Sequence, residues 1–578
     1  MSDSPTPVTE RPVLVELAQR LGVATDFWDW QGRHTPIAAE TVVAVLRAFG
    51  IEAGDDESAR VALQDLDEQP WRRMLPPIVV GRAGSTVDVL VHVPHGEPVS
   101  VDVLAEDGTV HAAEQSDHFA EPREVAGALV GEARFVLPAD LPTGYHRVRA
   151  AAQSVEADTL LVVAPDRIDL PDLPRQAWGL MAQLYSVRSR DSWGLGDFAD
   201  LATLGRWGAD VGADFVLVNP LHAAEPTPPV EDSPYLPTSR RFLNPIYVRV
   251  EAIEEYGDLP DAGREHVDAL GARLSAGNAD AALLERDATL AGKLEALALV
   301  HAVPRSPERQ AALVEYLERE GDALVQFATW CALAEGNEGD PDRIAFHAWL
   351  QWVCDEQLAA AQAAAVEAGM RIGVITDLAV GVHPAGAEVW TLGDALTTGV
   401  SVGAPPDAFN QIGQDWSQPP WRPDRLSELE YAPYRAMLRT VLRHAGALRI
   451  DHVMGLFRLW CIPDGAPPSQ GTYLRYDHEA MVSILLLEAQ RAGAFVIGED
   501  LGVVEPFVRE YLAGRGVLGT SILWFEVDDG NPRPPESWRE LCLATVGTHD
   551  LPPTAAYLAG DHVRLRDSLD LLTRPVEE

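Results

Sequence analysis

Three short segments of this chain run from apolar residues into an acid. They are Leu448-Arg449-Ile450-Asp451-His452, Val496-Ile497-Gly498-Glu499 and Val546-Gly547-Thr548-His549-Asp550. One acid at the end of an apolar strand is commonplace. Three such ends, two with an adjoining histidine, point to a reaction run by paired carboxyl groups, and glycosidic bond cleavage is the chemistry that suits them. One carboxylate attacks the anomeric carbon while the other protonates the leaving oxygen, and a retaining enzyme sets the two about 5–5.5 Å apart. The acid must keep its proton near neutral pH, which requires burial or a neighbouring carboxylate. The nucleophile must stay ionised. Arg449 lies two residues before Asp451 and so points to the same side of a strand. A fixed cation there would hold Asp451 charged and oriented.

These acids need a frame that brings strand ends together. Apolar strands are predicted at Gly179–Val187, Phe215–Leu221, Ile372–Leu378, Leu448–Val453, Phe495–Glu499, Ile522–Phe525 and Ala544–Gly547, with helical stretches between them. Strand–helix alternation implies βαβ units and a parallel sheet. Strands apolar along their length and polar only at their C-terminal ends fit a sheet buried on both faces. The fold class read from this is α/β, a (β/α)8 TIM-type barrel, in which catalytic groups sit at the C-terminal strand ends. The three acids would then share one rim. An Ala/Leu/Glu-rich helical insertion is predicted at about 250–345. Ahead of the barrel (166–578) stand a helical region (1–72) and a β-sandwich (73–165), the latter read from short Val-rich runs separated by turn signals. Residues 165–174 read as a linker.

Several functions are excluded. Lys+Arg number 45 and Asp+Glu 88, a formal net charge of −43, so nucleic acid and anionic membranes would repel the chain. No run of apolar residues is long enough to span a membrane and no signal peptide is visible, which predicts a cytoplasmic protein. Cys331, Cys354, Cys461 and Cys542 form no CxxC pair and read as buried free thiols. Gly514-Arg515-Gly516-Val517-Leu518-Gly519 matches GxGxxG, but it follows a predicted helix and precedes a strand, the reverse of a dinucleotide site. There is no GxSxG, Walker loop or HExxH.

The acid-bearing segments resemble the catalytic motifs of the 4-α-glucanotransferases, the amylomaltase or disproportionating enzymes of the α-amylase clan. The resemblance extends to Asp232-Ser233-Pro234-Tyr235 with Asn244-Pro245, and to Gly403-Ala404-Pro405-Pro406-Asp407. It also takes in Gly413-Gln414-Asp415-Trp416 and Asp377-Leu378-Ala379-Val380-Gly381-Val382. It covers roughly residues 175–558, and the region before Pro174 resembles the N-terminal extension of the longer bacterial branch.

The resemblance implies Asp451 as nucleophile, Glu499 as general acid/base and Asp550 as stabiliser of the cationic transition state. Arg449 would position Asp451, and His452 and His549 would contact sugar hydroxyls. Tyr235 would stack on or hydrogen-bond to that sugar, and Asp377 matches the clan's third-strand acid. Asp407, Gln414 and Trp416 would bind the glucan from a covering loop at 405–416. No cofactor or metal is implied. The partners are α-1,4-glucans with a glucan or glucose acceptor. The alternatives are an α-glucan hydrolase of the same clan and a catalytically silent glucan-binding protein. The chain runs only 28 residues past Asp550 with no further strand visible, so a barrel lacking its last βα unit, in a fragment of a longer protein, is the expectation.

Overall fold

The computed structural model describes residues 6–576 other than 171–175, 281, 338, 408–409 and 529. The predicted linker therefore lies partly outside the described residues, as does the centre of the expected covering loop.

The frame is a wall of parallel strands: β1 (Gly179–Ala182), β2 (Phe215–Val218), β3 (Gly373–Leu378), β4 (Ala447–Ile450) and β5 (Phe495–Gly498). A bridge from Ile497 to Leu518 continues it to β6 (Gly519–Ile522), which pairs in parallel with β7 (Cys542–Thr545). The strands stand side by side in chain order, so every connection crosses over in the same sense, as βαβ units do. Both faces of β3, β4 and β5 are buried. Residues of β1 and β7 line one cavity of about 720 Å³, so the wall curves until its two ends face each other. Among the described residues no strand joins them.

Helices back the wall. Phe198–Asp210 links β1 to β2 and starts on a reciprocal cap between Asp197 and Asp200, which satisfies two of the orphan N–H groups of the first turn. The insertion between β2 and β3 is helical: Asp261–Ser275, Arg286–His301, Pro307–Glu320 and Asp322–Ala334 lead into the long helix Pro341–Glu367. His478–Ala492 links β4 to β5. The GxGxxG run is a helix-to-strand turn between Pro506–Gly514 and β6. No helix among the described residues is long and apolar enough to cross a membrane.

Two predicted strands sit in the wrong place. Ile522–Phe525 and Ala544–Gly547 were read from apolar runs, whereas the paired segments are Gly519–Ile522 and Cys542–Thr545. Leu523 N–H donates the last bond of this pairing, to Thr545 O at 2.9 Å, and the side chains of Leu523 and Phe525 are exposed. Gly179–Val187 is a strand only to Ala182, then turns through a 3-10 helix at Leu184–Ser186.

An antiparallel sheet that the sequence reading missed rises from the rim. Its strands run in the order Gln414–Gln418, Val400–Ala404, Arg458–Pro463, Thr472–Arg475. Gln414 and Trp416 therefore lie on a strand and not on a loop. Backbone pairing to Gly403 and Ala404 imposes it. The N-terminal region docks on the far edge: Arg475 N–H donates to Gly22 O and Ala24 N–H to Tyr473 O. Gly22 is required there, having φ +75°, and a Cβ would stand 2.9 Å from Arg475 O. The region holds helices at Pro12–Arg20, Ala39–Ala48 and Asp56–Glu68, and a two-stranded hairpin, Asp26–Trp28 with His34–Pro36. Residues 78–164 form two facing β-sheets around Val89, Val91, Val103, Phe135, Leu137, Val148 and Leu161. Cys331, Cys354 and Cys461 are buried free thiols, and Cys542 is a half-buried one.

Candidate active site

Strand register assembles the site. Asp377 of β3 is the partner of Arg449 on β4, and Ile450 is the partner of Gly498 on β5. Asp451 and Glu499 each follow that last pair by one residue. They are side by side on neighbouring strands, where chains run about 4.8 Å apart. The parity of side chains puts Asp377, Arg449, Asp451 and Glu499 on one face of the wall. The ladder continues past the strand ends: Asp451 N–H donates to Leu378 O at 3.0 Å and Glu499 N–H to Ile450 O at 3.0 Å. Both acids are thus held on backbone that is still hydrogen-bonded. Gly498 keeps this approach close, since a Cβ there would stand 2.8 Å from Val453.

Arg449 is buried and ties two acids together. Its Nη1 donates to both Asp377 oxygens at 2.7 Å and its Nη2 to Asp451 Oδ1 at 3.0 Å. The Tyr235 hydroxyl donates to Asp377 Oδ2 at 2.8 Å. Glu499 accepts from the backbone N–H groups of His452, 2.8 Å, and Leu501, 3.1 Å. His452 takes a left-handed backbone, φ +45°, which turns its N–H onto Glu499. His549 Nε2 stands 3.1 Å from Asp550 Oδ1 and 3.9 Å from Asp451 Oδ2. Its ring stacks on Tyr235 with centroids 3.6 Å apart, so His549 occupies one Tyr235 face that the sequence reading left to a sugar. Asp550 follows β7 on a loop and its side chain is 75% exposed, at the open side of the group.

Trp416 meets the His452 ring edge-on at 5.4 Å, and its Nε1 donates to Gln414 Oε1. Asp407 accepts from Asn410 N–H at 2.6 Å and turns the segment between the two strands. Its neighbours Ala408 and Phe409 lie outside the described residues.

Burial governs the electrostatics. It pushes Asp451 up to about 7, with Arg449 and His549 pulling the other way. It also pushes Glu499 above the usual carboxylate range, against the pull of Arg449 and the two N–H donors. Arg449 acts on Asp451 in the expected direction, favouring the carboxylate, and desolvation works against it. Two buried neighbouring carboxyls titrate as a pair, and this pair holds a proton to unusually high pH. Burial pulls His549 down, but Asp550 and Asp451 outweigh it and raise it above the ordinary histidine value.

Sequence reasoning missed three supporting residues. Asn219, just past β2, accepts Leu184 N–H at 2.7 Å and fixes the turn after β1. His222 accepts Ala379 N–H at 3.3 Å, and burial lowers it to about 3, so it is a neutral acceptor. Arg240 holds the buried Glu388 with Nη2 at 2.6 Å and donates to Val380 O. All three brace the turns that follow β1 and β3. Asn219 and His222 carry the same signal as the acids, a polar residue closing an apolar strand. Among the described residues no cluster of three or more His, Cys, Asp or Glu is arranged to hold a metal ion.

The family described as 4-alpha-glucanotransferase matches residues 182–341 and 337–575, and the MalQ N-terminal beta sandwich domain matches 74–165. A 4-alpha-glucanotransferase of Mycobacterium tuberculosis (strain ATCC 25618 / H37Rv) is 55% identical over 604 aligned positions, spanning 98% of this chain and 83% of the relative. One from Haemophilus influenzae is 33% identical, over 75% of this chain and 68% of the relative. The crystal structure of amylomaltase from Corynebacterium glutamicum superposes with a TM-score of 0.94 at 48% identity, covering 98% of this chain and 83% of that one.

Proposed function

The chain belongs to the 4-alpha-glucanotransferase family, and we propose that Asp451, Glu499 and Asp550 carry its reaction. The activity is retaining glucan transglycosylation. Glu499 gives its proton to the leaving glycosidic oxygen of an α-1,4 bond. Asp451 attacks the anomeric carbon as the C–O bond breaks, forming a covalent glucosyl ester, and the reducing-end piece departs. Glu499, now a carboxylate, takes the proton of an acceptor 4-hydroxyl. That oxygen attacks the anomeric carbon and frees Asp451. Two inversions return the α configuration.

Asp550 stabilises the oxocarbenium-like transition state through sugar hydroxyls, to which His452 and His549 also bond. Tyr235, Asp377 and Arg449 hold Asp451 in place. Asp407, Gln414 and Trp416 line the glucan chain, and the segment 405–416 keeps water from the intermediate so that a sugar hydroxyl wins. The donors are α-1,4-glucans such as maltooligosaccharides, and the acceptor is a glucan or glucose. The functional units follow the sequence assignment: 1–72, 73–165 and 166–578.

The observation that supports this reading is the register that sets Asp451 beside Glu499 with Arg449 bonded to Asp451. The test is product analysis after incubation with maltotriose. Glucose with longer maltodextrins is expected, and glucose with maltose alone and no chain extension sinks the transfer mechanism. Asp451→Asn should lower turnover by about 10³ or more. A variant that keeps its activity rejects the assignment.

A further inference from the structure

We propose that the N-terminal hairpin is a second glucan-binding platform, built from Trp28 and Trp30 and separate from the reaction centre. The inference rests on the glucan-transferring reading above.

Large apolar side chains are normally buried, yet Trp28 is 62% and Trp30 43% exposed. They lie two residues apart at the tip of the hairpin Asp26–Trp28/His34–Pro36, and the tip is hydrogen-bonded within itself. The Asp29 carboxylate accepts the N–H groups of Gln31 and Arg33, each at 2.9 Å, and the Arg33 Nε at 2.8 Å. The His34 ring packs edge-on against Trp28 at 5.3 Å, and Gly32 takes the left-handed φ of +73°. Such a tip loses little freedom when it binds. It offers flat aromatic faces beside polar side chains, Gln31, Arg33 and His34. Aromatic faces with hydrogen-bonding groups at their edge suit the apolar face and the hydroxyl rim of a pyranose ring. With a formal net charge of −43, the chain disfavours anionic partners and tolerates a neutral polysaccharide.

The hairpin is mounted on the sheet that also reaches the reaction centre. Phe27, beside Trp28 in the hairpin, packs on Trp460 at 4.9 Å and Tyr473 at 6.2 Å of that antiparallel sheet. Val23 bridges to Leu474 at the sheet edge. The opposite edge strand, Gln414–Gln418, carries Trp416 against His452. Three strand spacings, about 14 Å, separate the edges. Trp460 is only nine residues after Asp451, which limits the separation of those two Cα atoms to about 30 Å. On this proposal one long glucan lies on both, and a trisaccharide occupies the reaction centre alone.

The test compares wild type, Trp28→Ala/Trp30→Ala and Trp28→Phe/Trp30→Phe, each as the full chain, on maltotriose and on long amylose. The Ala pair should raise KM for amylose about tenfold, with kcat and all maltotriose kinetics unchanged, and the Phe pair should stay within about twofold of wild type. Unchanged amylose KM in the Ala pair overturns the platform. So does an equal loss on maltotriose and amylose, which would mark a structural support, or a change of oligomeric mass without an amylose effect. Native electrophoresis through amylose-containing gel separates this proposal from the reaction mechanism. Asp451→Asn should be retarded like wild type and the Ala pair less so. Wild type that is retarded but extends no maltotriose would refute the transfer reading and spare the platform.

Discussion

Asp451 and Glu499 share a buried corner in which both carboxyls are pushed upward. The proposed mechanism needs one proton on the pair, on Glu499, and a charge on Asp451. Below the lower apparent pKa both are protonated and the nucleophile is lost; above the upper one neither is, and the acid is lost. Since burial raises both, kcat/KM on maltotriose should be bell-shaped, with its acidic limb well above the usual carboxylate values of about 3.9–4.3. An acidic limb near pH 4 would refute the desolvation argument. Arg449 is the counterweight. Arg449→Ala leaves Asp377 and Asp451 buried without their cation, which costs about 3–5 kcal/mol. A fall in thermal midpoint should come with an acidic limb moved to higher pH, because the group that favours the Asp451 carboxylate is gone. A limb that stays put would show that Arg449 only supports the fold. These acids were legible in sequence because each closes an apolar strand, and the i, i+2 spacing of Arg449 and Asp451 announced a shared face. His222 and Arg240 were legible only as polar residues, because each acts on Ala379 or Val380 across long sequence separations.

At the level of elements, the parallel wall was readable because a strand buried on both faces leaves an unbroken apolar run. Its last two members were not, because the paired residues Gly519-Thr520-Ser521-Ile522 are less apolar than Leu523, Trp524 and Phe525 that follow them. Only pairing across to Cys542–Thr545 decides which four residues join the ladder. The antiparallel sheet over the rim was hidden for a related reason. Val400–Ala404 finds one partner at Gln414–Gln418 but the other at Arg458–Pro463, a separation no local pattern reports. That sheet carries a test of the covering segment. A Cβ on Gly403 would stand 2.0 Å from Gln414 O, a backbone atom that moves only with its strand. Gly403→Ala should therefore shift the strand bearing Gln414 and Trp416, at an overpacking cost of about 1–3 kcal/mol. With water admitted, free reducing ends should rise relative to chain-extended product. An unchanged product ratio alongside the lower stability would remove water exclusion from the role of this segment.

Over the whole molecule, the three sequence regions behave as parts of one body. Leu160 and Val162 of the β-sandwich, Val42 and Leu46 of the N-terminal helices and Leu448 and Val496 of the wall belong to a single buried cluster. The polar seam is equally continuous. Arg147 bonds Glu430 at 2.7 Å and Arg82 bonds Glu479 at 2.7 Å. Tyr145 is ringed by the guanidinium groups of Arg435, Arg439 and Arg491, each within about 5 Å of its centroid, and it donates to the buried Glu488. The sequence boundaries at 72/73 and 165/166 mark changes of texture, and such a boundary says nothing about the faces that meet across it. A shared core predicts that thermal unfolding is one cooperative transition despite the chain length. Tyr145→Phe keeps the ring among its arginines and removes one hydrogen bond to a carboxylate, worth about 1.5–3 kcal/mol. The midpoint of that single transition should fall while kcat on maltotriose stays put, since no group at the rim loses a partner. Two resolved transitions, with the substitution moving only one of them, would show that the sandwich folds alone and that the cluster spanning the seam contributes little to its stability.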